Sequence, residues 1–365
     1  MNTTNVPRTT SFLRRAGWPR GTVGPIEMGY AAVAAAAVLW GLFAAKFWVF
    51  TTTVALLLAI SALGLTAVVG WAREMSLVQA GLTGTAVYVG GYAYRSQGGW
   101  GWPFLLAVAC AVVVAVLLSL LVALATVRLS GIYILVLTLA LQMTIEQTVF
   151  VERKLTGGLR PLSTPRPEII GISFVSDRAF FFLCLGVLGV MLLLLARLRA
   201  SRHGRALMLV GTDRQAAASV GISPWRYKMF AFAVAGFFAG VAGAFTAPLF
   251  GTPPSPLSYL SLNSLFYLAI PVLAGFQCLL GVVLVAVAFG LAPQALEPWH
   301  ISPLILGGAG LLAGTLAGRS GISGVVSNLL RVRRRQRATA ELDVRDGAGR
   351  TLDEEKAFAF SGEER

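Results

Sequence analysis

Long apolar runs separated by short polar breaks dominate the chain, and most runs are too uniform to show the one-sided stripe of a helix lying on a soluble core. They cover residues 28–45, 51–71, 100–125, 129–150, 179–196, 230–247, 259–274, 279–293 and 303–317, with one more following Glu74 and carrying Gly84, Tyr88, Gly90, Gly91 and Tyr92. Most are close to the roughly 20 residues a helix needs to cross a bilayer. The pattern predicts an all-α, polytopic transmembrane helical bundle of about ten spans, so that both termini lie on one side. Small residues recur at spacing four within it: Ser76, Ala80 and Gly84; Gly236, Gly240 and Ala244; Gly310, Gly314 and Gly318. Such stripes let helices approach closely. Thr138, Gln142 and Glu146 also share one face, and a carboxylate at mid-bilayer costs about 2.5 to 3.5 kcal/mol. That face is expected to turn towards protein or water, either lining a substrate pathway, to which Ser76 is added, or packing on a neighbouring helix.

The main interruption runs from residue 197 to 228. It carries Arg197, Arg199, Arg202, Arg205, Arg214, Arg226 and Lys228 against one acid, Asp213. A loop so basic between apolar runs belongs on the cytoplasmic side. Its inner part reads as a helix of about two turns, with Thr212 as N-cap, Gln215 completing a capping box and Gly221 as the stop; Ser223 and Pro224 start the next helix. A helix that short needs something to pack against. The loop either only sets topology or docks a cytoplasmic partner.

Composition narrows the class. Apolar residues make up 56% of the 365 and charged residues 13%, with a mean hydropathy of +0.74, whereas about 25% charged is usual for soluble domains. The net charge of +14 gathers in 1–28, in the central loop and beyond residue 318, which is a positive-inside distribution and makes a nucleic-acid partner unnecessary. Both termini are therefore expected to be cytoplasmic. Residues 1–28 form a basic tail, 29–318 the membrane domain, and 319–365 a basic, then acid-rich tail without the composition of a packed core. Segment 151–177, rich in proline, is expected to be a long outer loop without secondary structure. Cys110, Cys184 and Cys278 lack ligand spacing, and His203 and His300 fall on opposite sides, so no metal site, triad or other enzymatic constellation is expected. None of Lys46, Lys154, Lys228 and Lys356 follows a glycine, so this chain has no phosphate-binding loop for ATP.

Several stretches carry a resemblance. Gln215-Ala216-Ala217, three residues, then Gly221 and Ile222 resembles the Glu-Ala-Ala-x-x-x-Gly coupling loop of bacterial ABC importer permeases, with Gln for Glu. Residues 201–207 and 221–232 around it resemble the branched-chain amino acid permease family. Gly70, Ser76, Leu77 and Ala80 match that family's Gly-x-x-Gly-Gln-x-Ser-Leu-Gly-His-Ala motif, from which Arg73, Glu74, Val78 and Gln79 depart. The likeness covers roughly residues 50 to 320. It implies a membrane permease subunit of an ATP-driven importer in the bacterial plasma (inner) membrane, for branched-chain or related amino acids. Urea or short-chain amides are the alternative substrates, and a carrier or channel working without an ATPase is the alternative mechanism. The partners implied are cytoplasmic ATP-binding subunits, which hold the ATP, a second permease subunit, a periplasmic or extracellular substrate-binding protein, and membrane lipids. The residues placed at the ATPase contact are Gly204, Arg205, Gln215, Ala216, Ala217 and Gly221.

Overall fold

The computed structural model describes residues 25–96, 98–129, 131–156, 163–169, 172–275 and 278–296, together with 305, 308–310 and 312. Gly314, Gly318 and most of the two tails lie outside the described residues. The chain divides into two compact units, Met1–Phe43 and Ala44–Arg365. In the first, α1 (Pro25–Phe43) occupies the first expected span.

The second unit contains the bundle. Helix α2 (Lys46–Thr66) runs into a π-helical turn (Ala67–Trp71) and is followed by α3 (Gln79–Tyr94), α4 (Phe104–Thr126) and α5 (Ile132–Thr148). A short α6 (Arg153–Thr156) and the antiparallel strands β1 (Glu168–Ile169) and β2 (Ile172–Ser173) lead to α7 (Asp177–Ala200). Helices α8 (Arg202–Thr212) and α9 (Arg214–Ser219) fill the basic loop. Then come α10 (Pro224–Phe250), a 3-10 turn (Pro256–Tyr259), α11 (Ser261–Ala274) and α12 (Leu279–Leu296). Among the described residues four helices are long and apolar enough to cross a membrane: Lys46–Trp71, α4, α7 and α10. Val33–Phe43, α5, α11 and Leu279–Ala295 are shorter apolar helices.

The expectation of a structureless 151–177 segment is corrected by α6 and the β1–β2 ladder, in which Glu168 faces Ser173 and Ile169 faces Ile172. Ser176 caps α7 by accepting from the Ala179 N–H, and Arg166 pairs with Asp177 at 2.5 Å, so this segment is tied to the start of the next helix.

Helices α2 and α10 are the centre: 83% and 72% of the residues in their most apolar windows are buried, against 28% for α4 and 33% for α7. Size, not polarity, decides which face of α4 points inward. It buries Ala107, Ala111, Ala115 and Ser119 while Leu106, Val113, Leu117 and Leu121 remain exposed. This small-inside arrangement suits a helix whose outer face meets lipid, because close backbone packing is what remains to hold helices together there. The α10 glycines fit that stripe. A Cβ on Gly240 would lie 2.7 Å from Val112 Cα, and one on Gly236 would lie 2.8 Å from the Ala115 carbonyl. Inside α2, the hydroxyls of Thr51, Thr52 and Thr53 each donate to the carbonyl four residues back, which satisfies them without leaving the helix.

The loops gather at two ends. At one, Thr164 N–H donates to the Gly251 carbonyl at 2.7 Å, the Tyr94 hydroxyl to the Arg166 carbonyl at 3.0 Å and the Tyr88 hydroxyl to the Pro254 carbonyl at 2.7 Å. Trp100 meets Tyr92 edge-on and Trp102 at a tilt. The other end collects 72–76, the end of α4 and the basic segment 201–228.

Candidate functional site

The basic end is built by chain reversals. Ser201 closes α7 by donating to the Leu198 carbonyl at 2.6 Å and opens α8 by accepting from the Gly204 N–H at 3.2 Å. Gly204 is required there, since a Cβ would run into the carbonyls of Leu198 and Arg199. Arg205 donates to the Ala200 carbonyl at 2.6 Å and so covers the C-terminus of α7. Gly204 and Arg205 thus form the α7–α8 corner. Helix α8, which the sequence reading treated as loop, buries Gly204, Leu207 and Val210 and sets Gly211 against the Trp71 carbonyl. Its signal was available: those residues recur at spacings of three, three and one along the basic stretch.

Thr212 is not the cap of the next helix. It is the last residue of α8, and its hydroxyl donates to the Met208 carbonyl; Asp213 is the N-cap, accepting from the N–H groups of Gln215 at 2.8 Å and Ala216 at 3.1 Å. Asp wins because one carboxylate oxygen, Oδ1, accepts from both N–H groups at a helix N-terminus, with the charge the dipole favours. At the other end Gly221 has φ +79°, and the N–H groups of Gly221 and Ile222 return to the carbonyls of Ala218 and Ala217. Between these caps Ala217 is fully buried while Gln215, Ala216 and Val220 are exposed. Beside α9, an open cleft of about 390 Å³ is lined by His203, Gly221, Ile222, Arg226, Tyr227 and Phe230.

Beneath α9 lies a buried charge cluster that sequence reading missed. Arg73 adopts φ +56° at the position where the family motif has its second glycine, the residue that takes this backbone conformation most readily. Next to it, Glu74 is 4% exposed and is paired with Arg214 of α9 and, at 3.4 Å, with Lys228 of α10. Lys228 also donates to the Thr126 carbonyl at 2.7 Å and the Leu129 carbonyl at 3.3 Å, closing on the end of α4. Burial pushes the Glu74 carboxyl above its ordinary range, while Lys228 and Arg214 pull it back. No sequence pattern sets Glu74 opposite a residue 140 positions away.

The polar face of α5 is brought against the start of α3. Thr138 and Gln142 are fully buried; the Leu77 N–H donates to the Thr138 hydroxyl at 3.2 Å and the Gly81 N–H to the Gln142 side-chain oxygen at 2.8 Å. Gln142 donates to the Tyr259 carbonyl at 2.9 Å and to Glu146, which is partly exposed, at 3.2 Å. Ser76 lies in the non-helical segment before α3, so it does not share a helical stripe with Ala80 and Gly84. Ala80 is buried, and a Cβ on Gly84 would meet Phe150 and the Tyr259 ring at 2.8 Å or less. Gly310 packs on Phe289. Helix α3 has no side-chain cap of its own, and α5 supplies one from across the bundle. Gln142→Leu is expected to remove about 1–3 kcal/mol by leaving the buried Gly81 N–H without its partner. Thermal unfolding in detergent measures this; an unchanged midpoint, together with labelling of cysteines at 138 and 142 by a water-soluble reagent, would instead assign the face to a pathway.

Among the described residues no group of His, Cys, Asp and Glu could hold a metal ion, and Cys110, Cys184 and Cys278 are free thiols. A family model described as the permease component of branched-chain amino acid transport systems matches residues 47–309. Two curated relatives are the high-affinity branched-chain amino acid transport system permease proteins LivM of Salmonella typhimurium and of Escherichia coli. Each is 28% identical over 297 residues, covering 74% of this chain and 69% of the relative. No solved structure matches.

Proposed function

Because the chain belongs to the branched-chain amino acid permease family, and is thus a multi-pass membrane transport protein, we propose that it is the permease subunit of an ATP-driven importer. Its cargo is a branched-chain or chemically similar amino acid, and its membrane is the bacterial plasma membrane. The basic end faces the cytoplasm, in keeping with the positive charge gathered there. A separate ATP-binding subunit docks at α9, and a second permease subunit completes the pathway. At the far end, the segment holding β1 and β2 receives substrate from a soluble binding protein.

The observation that carries this reading is α9 itself. A helix of six residues does not persist alone. Here it is capped at both ends, seated through Ala217, and presents Gln215, Ala216 and Val220 outward. That is the geometry of a knob offered to a groove on a partner. His203 and Arg226 in the adjoining cleft suit an acidic side chain from the same partner.

Reconstitution tests the proposal. The chain, co-expressed with its neighbouring ATP-binding and permease subunits, is expected to co-purify with them and to move labelled leucine into proteoliposomes only when ATP and a binding protein are supplied. Transport by the isolated chain without ATP would establish a carrier. Uptake of urea or short amides in place of leucine would reassign the cargo and leave the coupling intact.

A further inference from the structure

The buried charged side chains among the described residues are Glu74, Arg95 and Lys228, and of these Glu74 sits where three structural elements meet. One carboxylate holds α9 through Arg214 and the N-terminal part of α10 through Lys228, while its own backbone continues the π-helical turn that ends α2. That turn is closed by Ala72 N–H to the Ala67 carbonyl and Glu74 N–H to the Val68 carbonyl, both at 3.0 Å. Three residues further on, the Leu77 N–H is held by Thr138 of α5. Arg214 and Thr138 are therefore joined by a stretch of only four residues, Glu74 to Leu77, that belongs to no helix.

We propose that Glu74 is the positioning residue of energy coupling: a cytoplasmic ATP-binding subunit that shifts α9 moves segment 72–78 through the Arg214–Glu74 pair, and this segment shifts the start of α3 against α5. The inference rests on the reading of α9 as the docking helix. Its physical basis is the contrast between the parts. Helices transmit displacement as rigid bodies, whereas the π-turn and the left-handed Arg73 end the regular helix, so the segment after them is not bound to move with α2. The ion pair is suited to the role because the Glu74 carboxylate is buried and is costly to leave without a cation, while Arg214 is partly exposed and able to move with α9. Lys228, bonded to the α4 carbonyls as well, supplies the fixed reference against which Arg214 can move.

The test uses the whole transporter assembled with its ATP-binding subunits in liposomes. Glu74→Leu keeps the approximate side-chain size but removes both charge and hydrogen bonding, and Arg214→Gln breaks the same pair from the other side. Each is expected to leave co-purification of the ATP-binding subunit intact and to raise the ATP hydrolysed per substrate moved by roughly tenfold, the scale of losing one charge-assisted contact. The double variant should be no worse than either single one, since both remove one link. A purely structural role would lower hydrolysis and transport together with the yield of complex, leaving their ratio unchanged; that result, or additive effects in the double variant, overturns the relay. Failure of the unmutated chain to retain the ATP-binding subunit would instead remove the docking reading and the relay with it.

Discussion

Enlarging Ala216 to tryptophan is expected to reduce substrate-stimulated ATP hydrolysis to its unstimulated level while the membrane bundle remains folded. Ala216 lies on the outward side of α9, at the middle of a surface that two caps hold in place. A bulky group there cannot be accommodated by rotating the helix, because Asp213 and Gly221 fix its ends and Ala217 its seat. If α9 docks as proposed, loss of a central contact costs about 2 kcal/mol or more, roughly a thirtyfold weakening of docking. Ala217→Trp is expected to act differently: with no exposed surface to grow into, it should lift α9 off the bundle and increase proteolysis between residues 212 and 221. Titration of the ATP-binding subunit onto each variant separates the two. Normal affinity for the Ala216 variant would leave the basic loop as a determinant of topology alone.

Gly243→Val in α10 is expected to prevent formation of the folded bundle. A Cβ at this position would lie 2.5 Å from the Thr83 carbonyl oxygen and 2.9 Å from the Val87 nitrogen, so backbone of α3, not a yielding side chain, stands in its way. Overpacking usually costs about 1–3 kcal/mol and more where the neighbour cannot move. Gly186→Val in α7, where nothing lies within 4 Å, is the control and should be neutral. The fraction of protein eluting as a single species from size-exclusion chromatography in detergent, before and after heating, reports both. Equal behaviour of the two variants would mean that α3 and α10 do not approach this closely.

These two positions also show what the sequence could and could not convey. Apolar runs located the helices, four of them long and apolar enough to cross a membrane among the described residues, because a bilayer demands length and hydrophobicity and both are readable residue by residue. They could not say which face turns inward, since a helix apolar all round has no polar side to exclude. The glycines of α10 were legible as a stripe, yet their counterpart, Ala107, Ala111, Ala115 and Ser119 of α4, is marked by size alone and passed unnoticed. In the basic loop, Gly221 announced its left-handed turn, and Ser223 with Pro224 the next helix, because caps are local chemistry. The choice between Thr212 and Asp213 as N-cap was not legible, for it depended on α8 extending through Thr212, and α8 depends on the surface it covers. Glu74 was the furthest out of reach: its meaning lies in two cations brought to it from later in the chain by the fold.

The cap that α5 lends to α3 has a bearing on how the protein is made. Helix α3 has 16 residues, about 24 Å of rise, against a hydrocarbon layer of about 30 Å. As the ribosome delivers the chain, α3 leaves the exit tunnel before Thr138 and Gln142 exist, and its leading amide groups have no acceptors from the helices already made. Exposed backbone of that kind is not tolerated in lipid. The start of α3, as the fold holds it, is therefore completed only by α5, which follows it in the chain. The order of synthesis and the order of assembly part company at this point: a polypeptide released before residue 138 would lack the acceptors that hold the Leu77 and Gly81 amides.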